Sequence, residues 1–337
     1  MDQKSYIDPQ LPLIDLHRHL DGSIRLETII ELAQEQGIDL PAYDVESLRP
    51  YVAIDGKADG LMDFLGRFRY LTAILHDLDA CRRVAYENVE DAQREGIDYI
   101  ELRFSPWFMS ETHGLDPAGV VDAVADGIIA AERDTGVRVQ MIGIMSRTYG
   151  TQICHRELDA LLEHRDHLVA IDLAGDELKF SADMFGEHFK RARDAGLEIT
   201  VHAGEVGGPE SVWSAIRELG ATRIGHGIRS LEDPALLDYL RQHRIGLEVS
   251  ITSNLQVGVV DDYVDHPVRR LLESGLLLNL NTDNPAISGI DLRHEYEVAA
   301  PKAGLDPVMT RQAQANALEM AFLADDEKKI LLEKRSR

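Results

Sequence analysis

Five short stretches carry the residue types that do chemistry: LIDLHRHLDGS (13–23), DLAGDE (172–177), VHAGE (201–205), IGHG (224–227) and NTDN (281–284). In the first, His17 and His19 stand one residue apart at the end of an apolar run. Side chains two apart on a β-strand share a face, so a strand beginning near Leu13 aims both imidazoles the same way. Such a pair alone is only a polar strand end, and it needs partners before it becomes a metal site. Partners exist: His202, His226 and Asp283 each close another apolar run, and Glu205 follows His202 by three residues.

The elements that must bring these residues together are legible as eight Ile-, Val- and Leu-rich runs. They cover Leu13–His17, Ile97–Phe104, Val137–Met145, Leu168–Leu173, Glu198–His202, Arg223–His226, Gly246–Ile251 and Leu276–Asn281. Stretches with apolar residues three and four apart lie between most of them, among them Val84–Arg94, Val120–Thr135 and Phe185–Ala195. Gly96, Gly136, Gly196 and Gly275 read as helix C-caps. Strands alternating with helices imply parallel pairing, and eight such units imply a (β/α)₈ TIM-type barrel, an α/β fold. No Gly-x-Gly-x-x-Gly turn follows the first strand, which removes the dinucleotide signature. Residues 1–337 read as one barrel domain, with a helical insert at 26–80 after the first strand. The insert's apolar face includes Leu61, Phe64, Leu65 and Phe68.

Active sites of such barrels lie at the C-terminal ends of the strands, drawn from several strands at once. There His17, His19, His202 and Asp283 can converge on one divalent ion. Nitrogen-rich ligation with one carboxylate suits zinc best, with iron, cobalt or nickel as alternatives.

Composition removes several classes of function. A formal net charge of −24 over 337 residues speaks against a nucleic-acid partner. Two cysteines, Cys81 and Cys154, are too few and too far apart for a disulfide framework or a Cys-x-x-Cys zinc site. The N-terminal MDQKSYIDPQLPL shows no secretory pattern, and no apolar stretch is long enough to span a bilayer. The expectation is a cytoplasmic protein with no membrane partner.

HRHLDGS, DLAGDE, HAGE, GHG and NTDNP, in that order, resemble the motifs of the adenosine deaminase family, from Leu11 to about Phe322. LRFSP at 102–106 and GIMSRT at 143–148 are similar to its bacterial members. The resemblance implies zinc-dependent hydrolytic deamination of adenosine, and of 2′-deoxyadenosine, to inosine and ammonia in purine salvage. It implies one zinc per chain on His17, His19, His202 and Asp283, with a purine nucleoside as the small-molecule partner. Glu205 matches the proton donor and His226 the histidine beside the attacking water. Asp21 matches the ribose contact, Gly175 offers a backbone N–H to the purine, and His19 lies near the substrate. The stripe of Leu61, Phe64, Leu65 and Phe68 resembles the family's apolar lid.

The sequence departs from the commonest pattern at Asn284, where many members carry a second aspartate that meets purine N7. Since N7 is an acceptor, an amide donates to it at any ordinary pH, whereas a carboxyl must first be protonated. The rival expectations are deamination of adenine or another 6-aminopurine nucleoside, and a catalytically inactive nucleoside- or zinc-binding protein. Adenine deaminases of this superfamily generally carry glutamate at the position of Asp21, which favours the nucleoside.

Overall fold

The apolar runs fold as strands that pair in sequence order. A computed structural model describes residues 5–58 and 61–335, without the side chains of Leu61, Met62 and Leu65. Its eight parallel strands run β1 (Ile14–His19), β2 (Tyr99–Phe104), β3 (Arg138–Ser146), β4 (Leu168–Ala174), β5 (Glu198–Ala203), β6 (Arg223–His226), β7 (Gly246–Val249) and β8 (Leu278–Leu280). All eight expected strands are present, and the fold is a (β/α)₈ barrel. Two end earlier than the apolar pattern suggests. β7 stops at Val249 because a helix begins at Ile251. β8 has three residues, and beyond it the Asn281 Oδ1 accepts from the Leu16 N–H at 2.9 Å, a side chain standing in for a ladder carbonyl.

The barrel closes through residues of the expected site. Asp283 N–H donates to the His17 carbonyl at 2.8 Å, and His19 N–H donates to the Asp283 carbonyl at 2.7 Å. These bonds set Asp283 against the two first-strand histidines.

The insert after β1 comprises α1 (Leu26–Gln36), α2 (Val45–Val52), α3 (Leu61–Gly66) and α4 (Arg69–Ala73), and α5 (Leu78–Glu95) leads back into β2. The following connections carry α6 (Pro106–Ser110), α7 (Pro117–Thr135), α8 (Thr151–Glu163), α9 (Gly186–Asp194), α10 (Pro209–Ser214), α11 (Pro234–His243), α12 (Ile251–Val257) and α13 (Val268–Glu273). Helix starts follow local chemistry: the Asp116 and Asp233 carboxylates accept from first-turn N–H groups, each with proline next. Gly96 and Gly136 close α5 and α7 in the left-handed conformation, as expected. Gly196 and Gly275 lie one residue beyond the caps of their helices. No described helix is long and apolar enough to cross a membrane.

The barrel interior differs from the apolar filling its strands suggest. Arg103 on β2 donates to Asp172 at 2.8 Å and to Glu248 at 2.7 Å. Arg223 on β6 pairs with Glu101 and Glu248. All five are buried. Branched aliphatics usually fill such an interior; here a buried ion-pair network underlies the site.

Candidate active site

β1 delivers His17 and His19, β5 His202, β6 His226, and the turn after β8 Asp283, all at the C-terminal mouth. Ligand atoms of His17, His202, His226 and Asp283 lie within 4.8 Å of one another, a grouping that could hold a metal ion. His19 is beside them, its Nε2 3.2 Å from His202 Nε2 and 3.3 Å from Asp283 Oδ1. The structure therefore brings together all four expected ligands and His226 as well.

The ring nitrogens are oriented from behind. Burial alone would raise the Glu248 pKa, but Arg103 and Arg223 hold it well below the usual carboxylate range. It is an acceptor, so His17 Nδ1 donates to it at 2.7 Å, and in the neutral ring Nε2 keeps its lone pair. That Nε2 is buried with no hydrogen-bond partner. Asp172 acts likewise on His202, whose Nδ1 lies 2.9 Å away; His202 and Arg103 outweigh the burial and keep Asp172 low. Ser253 Oγ donates to Asp283 Oδ2 at 2.6 Å. Carboxylates that fix the tautomer of neighbouring imidazoles are what a metal-binding histidine set requires.

Both His226, at φ 62°, and Asp283, at φ 63°, adopt the left-handed conformation without being glycine. Such positions cost about 1–3 kcal/mol each and persist where surrounding structure holds them.

Beside the cluster lies a cavity of about 300 Å³, lined by Asp21, Gly175, Glu205, Asn284, Phe64 and Phe68 among others. That is the size of a small-molecule site. Phe64 and Phe68 are buried and line the cavity, whereas the side chains of Leu61 and Leu65 lie outside the described residues. Burial, then Asp283 and Glu177, push the Glu205 carboxyl up to about 8. Burial pushes Asp21 up to about 7, and its Oδ2 accepts from Ser105 N–H at 3.3 Å. Gly175 is at φ +110°, and a Cβ there would lie 2.4 Å from Thr148 Oγ1, so only glycine fits.

Asn284 precedes the short helix Pro285–Ser288 but makes no side-chain cap, so its amide is not spent on that turn. Its Nδ2 donates to Asp283 Oδ1 at 2.7 Å, which leaves one N–H for the cavity it lines. Its Oδ1 packs where a Cβ on Gly22 would sit.

The sequence-based set omits several groups. Asp172, Glu248 and Arg103 lie beneath the histidines. Asn254 and Ser253 reach the site from α12, whose first N–H groups donate to Glu295 at 2.9 and 3.1 Å. Glu177 gathers the N–H groups of Gly204, Val206 and Gly207, which fixes the loop carrying Glu205.

A family model described as adenosine deaminase matches residues 12–336. The chain belongs to the adenosine deaminase family. It is 58% identical to an adenosine deaminase of Vibrio cholerae, over 97% of this chain and 98% of that one. An adenosine deaminase of Edwardsiella ictaluri is 57% identical over 96% of this chain and 98% of its own. Among solved structures, an adenine deaminase from Arthrobacter aurescens superposes with a TM-score of 0.90 at 28% identity, covering 97% and 98% of the two chains. Membership of the adenosine deaminase family makes the chain a hydrolase.

Proposed function

We propose that this chain hydrolyses adenosine and 2′-deoxyadenosine to inosine and 2′-deoxyinosine, releasing ammonia, in cytoplasmic purine salvage. One zinc ion per chain is held by His17, His19, His202 and Asp283. The observation that carries the reading is a buried carboxyl, Glu205, whose pKa is pushed up to about 8, in a cavity beside imidazoles whose outer nitrogens are already spoken for. The donor set suits zinc, and the unpartnered Nε2 of buried His17 supports it. Zinc bound there supplies the Lewis acidity that makes water nucleophilic near neutral pH.

The chain's own residues do the rest. Glu205 holds a proton for purine N1, which lets the ring accept the attack at C6. His226 presents a ring nitrogen to the water. Asp21 accepts from a ribose hydroxyl, Gly175 N–H meets the purine, and Asn284 donates to N7. The single barrel domain carries 26–80 as its lid; Phe64 and Phe68, which line the cavity, exclude water and strengthen each of these interactions.

The test is direct. Pure protein incubated separately with adenosine, 2′-deoxyadenosine and adenine should change the ultraviolet spectrum of the two nucleosides and leave adenine nearly untouched. A chelator should abolish turnover and added zinc restore it, with about one equivalent bound. Rapid turnover of adenine with none of adenosine would replace the reading by base deamination.

Two substitutions probe the substrate contacts. Asp21→Ala should raise KM for adenosine by about tenfold, the cost of one lost hydrogen bond to a charged group. A 5′- or 3′-deoxy analogue lacking the partnered hydroxyl should not register the change. At Asn284, 7-deazaadenosine leaves a buried N–H unpartnered, which costs about 1–3 kcal/mol, or roughly tenfold in kcat/KM. Asn284→Ala should erase most of the difference between the two purines. Equal handling by the unaltered enzyme would show that Asn284 does not read N7.

A further inference from the structure

We propose that His266 and Asn254 form a relay that sets where protons sit on His226 and Glu205, making His226 a hydrogen-bond donor and not a metal ligand. The catalytic roles assigned to those two groups rest on the functional reading above; the proton placement rests on hydrogen-bond geometry alone.

The derivation starts from a group with no choice. The Val268 backbone N–H can only donate, and its acceptor is His266 Nδ1 at 3.1 Å. His266 is buried, and burial presses its pKa down to about 3, so the ring is neutral. A neutral imidazole that accepts at Nδ1 carries its hydrogen on Nε2. That Nε2 therefore donates to Asn254 Oδ1, 3.2 Å away. The amide oxygen faces His266, so its NH₂ faces the active centre. This settles an orientation that amides otherwise leave ambiguous.

Asn254 Nδ2 lies 2.9 Å from Glu205 Oε1 and 3.2 Å from His226 Nδ1. An amide nitrogen has two hydrogens and accepts nothing, so both neighbours must accept. His226 then spends its Nδ1 lone pair on the amide and, as a neutral ring, carries hydrogen on Nε2. Although one of its nitrogens stands among the ligand atoms of His17, His202 and Asp283, it has no lone pair left for an ion. His19, 3.2 Å from His202 and 3.3 Å from Asp283, completes the ligand set instead. On Glu205 the same logic places the acid proton on Oε2. Asn254 is fully buried on α12, whose N-terminus is held by Glu295, so the relay has little freedom to turn.

Asn254 and His266 are positioning residues. In zinc-loaded protein labelled with ¹⁵N-histidine, with His226 assigned by comparison with His226→Gln, the spectrum should show Nε2 protonated and Nδ1 bare. Asn254→Leu should lower kcat for adenosine by about 10²-fold, as expected for a misplaced acid–base pair, with KM within about threefold and zinc content unchanged. His266→Leu should lower kcat in the same way. His266→Gln, whose amide can accept from Val268 N–H and donate to Asn254, should restore most of it. A protonated or zinc-bound Nδ1 on His226, zinc bound at its Nε2, loss of zinc from Asn254→Leu, or equal rates in the two His266 variants each overturns the relay. The expected tautomer in a protein that leaves adenosine untouched overturns the functional reading and leaves the relay standing.

Discussion

A Glu205→Gln enzyme should retain its fold and its metal and lose at least about 10²-fold in kcat, the usual contribution of a positioned acid. Glutamine keeps the shape and accepts the Asn254 N–H through its oxygen, but it has no proton to give to N1. The effect should fall on kcat more than on KM, because the proton is delivered during reaction. The pH dependence follows from the direction of the shift. Burial and the nearby Asp283 and Glu177 carboxylates raise the Glu205 pKa to about 8, so the acid form prevails at neutral pH. As pH rises through that value Glu205 loses its proton, and kcat/KM should fall on the alkaline side. The residual rate of Glu205→Gln should lack that limb, because its side chain does not titrate. Near-normal turnover by Glu205→Gln would remove the residue from the chemistry.

Two of the carboxyls lining the cavity, Asp21 and Glu205, were legible in the sequence for one reason and their state was not for another. Asp21 and Glu205 each follow a strand-end histidine within a few residues, so local spacing exposes them. That both have raised pKa values, about 7 for Asp21 and about 8 for Glu205, depends on burial beneath an insert and a loop from elsewhere in the chain, which spacing does not report. The strands were legible because parallel strands covered on both faces read as continuous β-branched runs. The supporting groups were not, since their partners are remote: Glu248 lies 231 positions from the His17 it orients. A signal for them did exist. YIELRF in β2 sets Glu101 and Arg103 two apart within an apolar run, and alternation puts both on one face. Charges at that parity in a barrel strand point to a polar interior. Asn254 and His266 had no such mark, because α12 and the turn before α13 meet the site only through the fold.

Replacing Arg103 should have the largest effect on the fold itself. Its guanidinium is fully buried, donating to Asp172 at 2.8 Å, to Glu248 at 2.7 Å and to the Leu16 carbonyl at 2.6 Å. Arg103→Met keeps much of the volume and leaves the two carboxylates in the interior without that cation. Breaking a buried pair from one side costs about 3–5 kcal/mol, because the surviving charge is not re-solvated. Urea unfolding near neutral pH should read a loss of that order. The sign of its pH dependence is fixed by the depressed pKa values of Asp172 and Glu248. Their contribution is present above the unfolded carboxylate range and vanishes as pH falls through the folded values. In the variant both rise, so the gap between unaltered and altered protein should narrow on acidification. The same two carboxylates orient His17 and His202, so zinc affinity should fall by about 10–100-fold, the usual cost of losing such support. A variant that is as stable as the unaltered protein at neutral pH, with zinc held as tightly, would mean that the histidines and Arg223 already compensate the buried carboxylates. Arg103 would then be a filler of space and not the counter-charge on which the site stands.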